Sequence, residues 1–379
     1  MESNLNQCLE YFYREFDKQL LGVQEDIIDD IITISKIHKI IKLPKIDLMD
    51  GKYIDNLLSE HIENSPVYLN KITLHFTVNN KRCEIHFYGN KKDLKYISNN
   101  RNHLMFCVVV VRMLYEMSQR VKVSHRFKNI DIYVFLTPFL KKLPVKGRTL
   151  DPYHVNTGIT ERSSTSGKIL IYRKEEWFKT LIHECLHFFG TDLNTHQNIN
   201  NINHLRNMFP INTTMNYEEA YVECWANMIQ CMILSFSKVN NFSRFKSLVL
   251  EYLEEEIEFS LIQCNKILRY MYLHYNAIID LPEHRNSSLS YIRDLTYKEN
   301  TNVFCYYILK CVFLYHFPLF ISWCIKENDE ILFLTKDHQL SMLVEVLYHK
   351  KKFVDDLYNY VYRKVKTTSL RMTVTNEIS

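Results

Sequence analysis

His183, Glu184 and His187 stand in the order His-Glu-Cys-Leu-His, and these residue types at this spacing can carry metal-assisted hydrolysis. On a helix, positions four apart lie one turn from each other on the same face, so both imidazoles can bind a single Zn²⁺. Glu184, beside the first of them, can take a proton from the water that such an ion activates. Two histidines leave the site one protein ligand short. Gly190 fits the longer pattern H-E-x-x-H-x-x-G-x-x-H/D, but its ligand position falls on Leu193, which cannot bind metal. Further along, Glu219 and Glu223 stand four apart in Tyr217-Glu218-Glu219-Ala220-Tyr221-Val222-Glu223, again one turn of one helical face. Glu219 can complete a His₂Glu set that leaves a fourth position for water, and Glu223 can accept the free ring N–H of a ligand histidine. Glu223 in place of Glu219, or His196 or Asp192 from the intervening stretch, are the alternatives. Tyr217 and Tyr221, flanking the acidic pair, are candidates for stabilising an oxyanion, with packing as the default role.

These residues need elements to hold them. Gly167 to Arg173 reads as a strand, and Glu175-Glu176-Trp177-Phe178 opens a helical run that Gly190 closes with a left-handed cap. Upstream, Ile72, Leu74, Phe76 and Val78 alternate before a polar turn at Asn79-Asn80, and Cys83, Ile85 and Phe87 alternate after it, which predicts a hairpin. A helix over 101–119, a strand over 131–136 and a long loop over 141–166 then lead to the motif, the loop being a candidate cover for a cleft. The first 62 residues carry helical periodicity, in Leu5, Leu9, Phe12, Phe16 and Leu20 and again in Ile27, Ile28, Ile31 and Ile32. The organisation expected is a helical stretch over 1–62, a catalytic core over 63–235 and a helical region over 236–379. The fold class is α+β, with a small mixed sheet.

Composition narrows the class. Of 379 residues, 46% are apolar and 24% charged, which describes a chain able to bury a sizeable core. A formal charge of +4 is too mild to imply nucleic acid, and no nucleotide-binding glycine motif or zinc-finger spacing is present. The ten cysteines are scattered without a C-x-x-C pair or a signal peptide, so they are expected as buried free thiols in a reducing, cytoplasmic compartment. Residues 303–325 are apolar enough for a bilayer, but Lys310, His316 and Pro318 interrupt them, so buried helices rather than a membrane span are expected. The runs Glu254-Glu255-Glu256 and Lys350-Lys351-Lys352 are expected on solvated faces, and the polar C-terminal end as a frayed tail.

H-E-x-x-H on one helix followed by E-x-x-x-E on the next resembles the gluzincin group of zinc metallopeptidases. The order strand, loop, strand, helix, helix across residues 129 to 235 is similar to the zincin catalytic fold. Ile132 to Pro138, Val155 to Gly158 and Ile171 to Trp177 are also similar to segments of metallopeptidases encoded by large DNA viruses, which would place the protein in a host cytoplasm or a virion. The resemblance implies peptide or protein substrates, with His183, His187 and Glu219 on zinc and Glu184 as the general base. It also implies that substrate lies extended along a sheet edge, a role expected for Lys168, Ile169, Leu170, Ile171 and Tyr172. The rival expectation is a virion or scaffold protein that keeps the fold around a structural zinc without turnover. An intact Glu184 argues against it, because a structural site has no need of a base. Oligomeric state is not legible.

Overall fold

The computed structural model describes residues 2–25, 33–45, 54, 56–121, 129–162, 166–192, 199–280, 287–334, 339–361 and 367–375. One mixed sheet runs through it, built from β1 (Thr33–Ile34), β2 (His38–Lys39), β3 (Asn70–Val78), β4 (Lys81–Tyr88), β5 (Asn129–Phe135), β6 (Gly158–Arg162) and β7 (Ser166–Ile171). The order is β1-β3-β4-β5-β7-β6, with β2 also on β3. β3 and β4 form the expected hairpin, and Asn79 and Asn80 take φ of 46° and 60° at its turn, a left-handed conformation that asparagine tolerates. β4, β5 and β7 are mutually parallel, while β6 runs antiparallel to β7 and forms the edge.

The expectation for Lys168 to Tyr172 is overturned here. The strand they span is interior, with β5 on one side and β6 on the other. Ile169 and Ile171 join the core on one face and Leu170 and Tyr172 that on the other, so the run is apolar on both sides, as interior parallel strands are. The edge is built instead from Gly158 to Arg162, within the stretch expected to be a loop.

Alternation sorts the sheet into two faces. Ile72, Leu74, Phe76, Ile85, Phe87, Ile130, Ile132 and Val134 pack toward the main helical layer, whereas Tyr68, Tyr88 and Phe135 meet α2 (Asn56–Asn64) through Leu58 and Ile62. The helical layer comprises α1 (Glu2–Glu25), α3 (Arg101–Arg120), α4 (Trp177–Phe189), α5 (Tyr217–Phe236) and α6 (Phe242–Tyr270). Phe12 of α1 lies 5.9 Å from Trp225 of α5, and Phe16 lies 5.6 Å from Phe236, so the N-terminal helix shares the main core. The boundaries expected at 62 and 235 fall inside α2 and α5, and residues on both sides of 235, with those of α1, share the main core; the stretch over 1–62, expected to be helical, also contributes β1 and β2 to the sheet, and the isoleucines at 27, 28, 31 and 32 lie outside the described residues. The class is α+β.

The apolar stretch expected as buried helices folds into a helical pair, Phe304–Tyr315 and Phe317–Glu327, bent by 89° at His316. Among the described residues no single helix is long and apolar enough to cross a membrane. Two polar expectations fail in part. Glu254 and Glu255 are exposed as expected, but Glu256 is fully buried, and in the C-terminal stretch Leu370, Met372, Thr373 and Thr375 are buried rather than frayed. Glu256 Oε1 accepts from the backbone N–H groups of Val374 and Thr375, both at 3.0 Å, and Glu176 Oε1 accepts from those of Met372 and Thr373, both at 2.8 Å. A buried segment must have its backbone satisfied: an antiparallel bridge between Ser369 and Lys142 does so at the start of this one, and the two buried carboxylates do so for the amides of residues 372 to 375.

Candidate metal centre

α4 is pinned at both ends before it presents any chemistry. Glu176, just before its first residue, carries a left-handed φ of 61°, a conformation costing about 1–2 kcal/mol in a non-glycine residue. Its carboxylate is locked by Lys141 Nζ at 2.8 Å in addition to the two tail amides, which holds the backbone there. At the other end Gly190 takes φ of 82° and closes the helix as expected. α5 packs across α4 and brings Glu219 and Glu223 to the histidine face.

Three donor atoms converge. His183 Nε2 and His187 Nε2 lie 3.1 Å apart, and Glu219 Oε2 lies 3.5 Å from the first and 3.4 Å from the second. Bonds of about 2.0–2.1 Å to a tetrahedral zinc would put ligand atoms about 3.3–3.4 Å apart, so this triangle has the size of one face of such a site. The buried Glu219 Oε2 has no donor in hydrogen-bonding geometry, which suits an oxygen reserved for a cation. Burial pushes the Glu219 carboxyl up, but the two imidazoles outweigh it and hold the group well below the usual carboxylate range. Burial likewise pulls both histidines down, and the carboxylates around them reverse this, raising His183 and, more strongly, His187. A divalent ion entering the cluster would displace those ring protons.

Each outer nitrogen lies close to a carboxylate. His183 Nδ1 lies 2.8 Å from Glu223 Oε2, the orienting position that the sequence assigned to Glu223, and Lys179 Nζ pairs with the other oxygen of that carboxylate. His187 Nδ1 lies 2.6 Å from Asp192 Oδ2. Asp192, an alternative ligand by sequence, thus orients a histidine instead, while His196 lies outside the described residues. With each Nδ1 facing a carboxylate, each Nε2 is directed to the centre.

Glu184 faces the edge strand. Thr160 Oγ1 donates to its Oε2 at 2.7 Å and also reaches its backbone carbonyl at 3.1 Å. Burial raises its carboxyl, with His183 and His187 opposing. The strand can approach this closely because position 158 is glycine: a Cβ there would sit 2.7 Å from Glu184 Oε1 and 2.8 Å from Thr180 Cγ2. We expect Gly158→Ala to displace the Glu184 carboxylate or Thr180 while leaving the His183, His187 and Glu219 donor triangle intact, which a crystal structure of the variant would show. An unmoved carboxylate would show that this contact does not position it.

His183, Glu184, His187 and Glu219 line a cavity of about 760 Å³, bounded on one side by β6 and on another by Glu299, Asn302 and Tyr306. Tyr306, missed by sequence reasoning, has its ring 6.3 Å from that of His183, and burial raises its phenol far above the ordinary value, keeping it a proton donor. The flanking tyrosines point elsewhere: Tyr221 OH donates to the carbonyl of Leu332 at 3.2 Å, and Tyr217 OH accepts from Asn201 at 3.4 Å. A second group of potential ligands, Glu84, His86 and Asp131, lies on β4 and β5. There Arg82 donates to Glu84 at 2.6 Å and stands 3.8 Å from Asp131, so a guanidinium already supplies the positive charge.

No protein family model, no curated protein and no solved structure matches this chain.

Proposed function

We propose that the protein is a zinc-dependent peptidase that hydrolyses peptide bonds, with His183, His187 and Glu219 as the metal ligands and Glu184 as the general base. The observation that carries the reading is the triangle of 3.1, 3.4 and 3.5 Å between three donor atoms, with a buried carboxylate beside it that a structural site would not require. Bound zinc supplies Lewis-acid polarisation and brings the pKa of a water to about 7. Glu184 accepts that water's proton and returns it to the leaving amine, and Thr160 fixes the carboxylate for both transfers. Tyr306, which lines the cavity with its ring 6.3 Å from that of His183, is the neutral phenol available to the oxygen on which negative charge develops. β6, at the sheet edge and along the cavity, offers its backbone to an extended peptide, the role first expected of Lys168 to Tyr172.

Metal analysis together with a peptide-library digest tests this reading. One zinc per chain is expected, with chelation abolishing hydrolysis and added zinc restoring it. Absence of stoichiometric zinc, with none taken up on addition, would remove both the catalytic and the structural-zinc readings. Stoichiometric zinc with no peptide cleaved would favour a structural brace.

A further inference from the structure

We infer that Glu299 is the cleft's recognition point for a positively charged group of the substrate, the ammonium or guanidinium of a peptide. The inference rests on the peptidase reading and adds to it a substrate class. Glu299 lines the same cavity as His183, Glu184, His187 and Glu219. Its donors are all neutral: Tyr297 OH at 3.0 Å, the backbone N–H of Phe304 at 2.9 Å, and the hydroxyl of Thr213. No ion pair to it is present among the described residues. Its neighbour Lys298 lines a separate pocket beside Tyr270 and Tyr272.

The cavity supplies no countercharge of its own. Among the described residues no lysine or arginine lines it, and apart from the metal-site residues and Glu299 its polar side chains are Asn, Thr and Tyr. Glu184 and Glu219 would balance the two charges of a bound zinc, which leaves Glu299 uncompensated. Burial pushes the Glu299 carboxyl up to about 7, and only neutral hydrogen bonds oppose it. A half-buried carboxylate held only by hydroxyls and one amide is disfavoured in its ionised form, and a cation entering beside it in the cavity offsets that cost. A neutral isostere in the same place leaves it in full, so this geometry discriminates by charge. Glu299 also ties the Thr213 loop to the start of the helix at Phe304, and that tethering role predicts no such discrimination.

The test compares kcat/KM for paired peptides that differ only by Lys against norleucine at one position, each with a free or an acetylated N-terminus. Wild type should favour the cationic member by at least about tenfold at one position, and Glu299→Gln should bring the ratio close to one. If the preference follows the free N-terminus, the terminal ammonium is the group recognised; if it follows the lysine, the side chain is. An equal fall for both members of each pair would overturn the inference and leave Glu299 a tether. So would a wild type without preference, or a preference that survives the substitution. Calorimetry on the zinc-loaded wild type with lysinamide and norleucinamide reads recognition without turnover. Lysinamide binding at least about tenfold tighter, without hydrolysis of any peptide, would keep the recognition site and discard the peptidase reading. Hydrolysis without charge preference would discard the recognition site alone.

Discussion

Glu184→Gln should retain one zinc per chain and lose at least about a hundredfold in turnover, the scale of a general base. The substitution preserves shape, and the amide oxygen can still accept from Thr160 Oγ1, so the edge strand should stay in place. What is lost is the ability to hold a proton between water and leaving group. The donor atoms proposed for zinc on His183, His187 and Glu219 are untouched, which is why metal content should not follow activity. Stability argues in the same direction. Burial raises the Glu184 carboxyl, so above its unfolded-state pKa the charged form costs folding free energy, and a neutral amide removes that cost. The metal-free variant should therefore unfold at no lower a temperature than metal-free wild type. Peptide cleavage at the wild-type rate would remove Glu184 from the mechanism, and loss of zinc would show that it helps to hold the metal.

The parts of this site legible in the sequence are those set by local periodicity. His183 and His187 share a face because an α-helix places residues four apart one turn along, and Glu219 and Glu223 repeat that geometry on α5. Gly190 ends α4 for a reason visible in one residue, its freedom to take positive φ. Other parts depend on what the chain meets far away. Gly158 to Arg162 is a five-residue strand without strong alternation, and pairing with β7 makes it the edge. Tyr306 reaches the cavity because the helical segment from Phe304 to Tyr315 packs on α5, a contact between residues distant in sequence. Glu256 and residues 373 to 375 each look solvated alone, and the carboxylate and the backbone amides it accepts from satisfy one another in the interior. Polar composition cannot reveal such a pairing, since a carboxylate seeking water and one capping a buried backbone are the same residue in sequence.

Glu219→Ala should abolish stable zinc binding, whereas Glu223→Gln should weaken it by about 10- to 100-fold, as for other outer-sphere losses. The difference follows from position. Glu219 Oε2 lies within 3.5 Å of both Nε2 atoms, on the side where the rings converge, while Glu223 Oε2 faces the opposite nitrogen of His183. Removing Glu219 deletes a charged ligand, whereas removing Glu223 leaves three ligands with one ring less firmly aimed. Glutamine is the milder change at 223: either substitution leaves the buried Lys179 ammonium without its countercharge, but the glutamine oxygen can still accept one hydrogen bond there, whereas alanine can accept none. Competition for zinc with a chromophoric chelator would measure both affinities, and urea unfolding of the metal-free forms would separate a weakened site from a weakened fold. Asp192→Asn provides a control on the second ring, since Asp192 stands to His187 as Glu223 stands to His183, and the two losses should be of similar size. A larger loss at 223 than at 219 would move the third ligand one turn along α5. Negligible losses at both would refute the ligand set, because a donor triangle of this size would then form without binding the ion it fits.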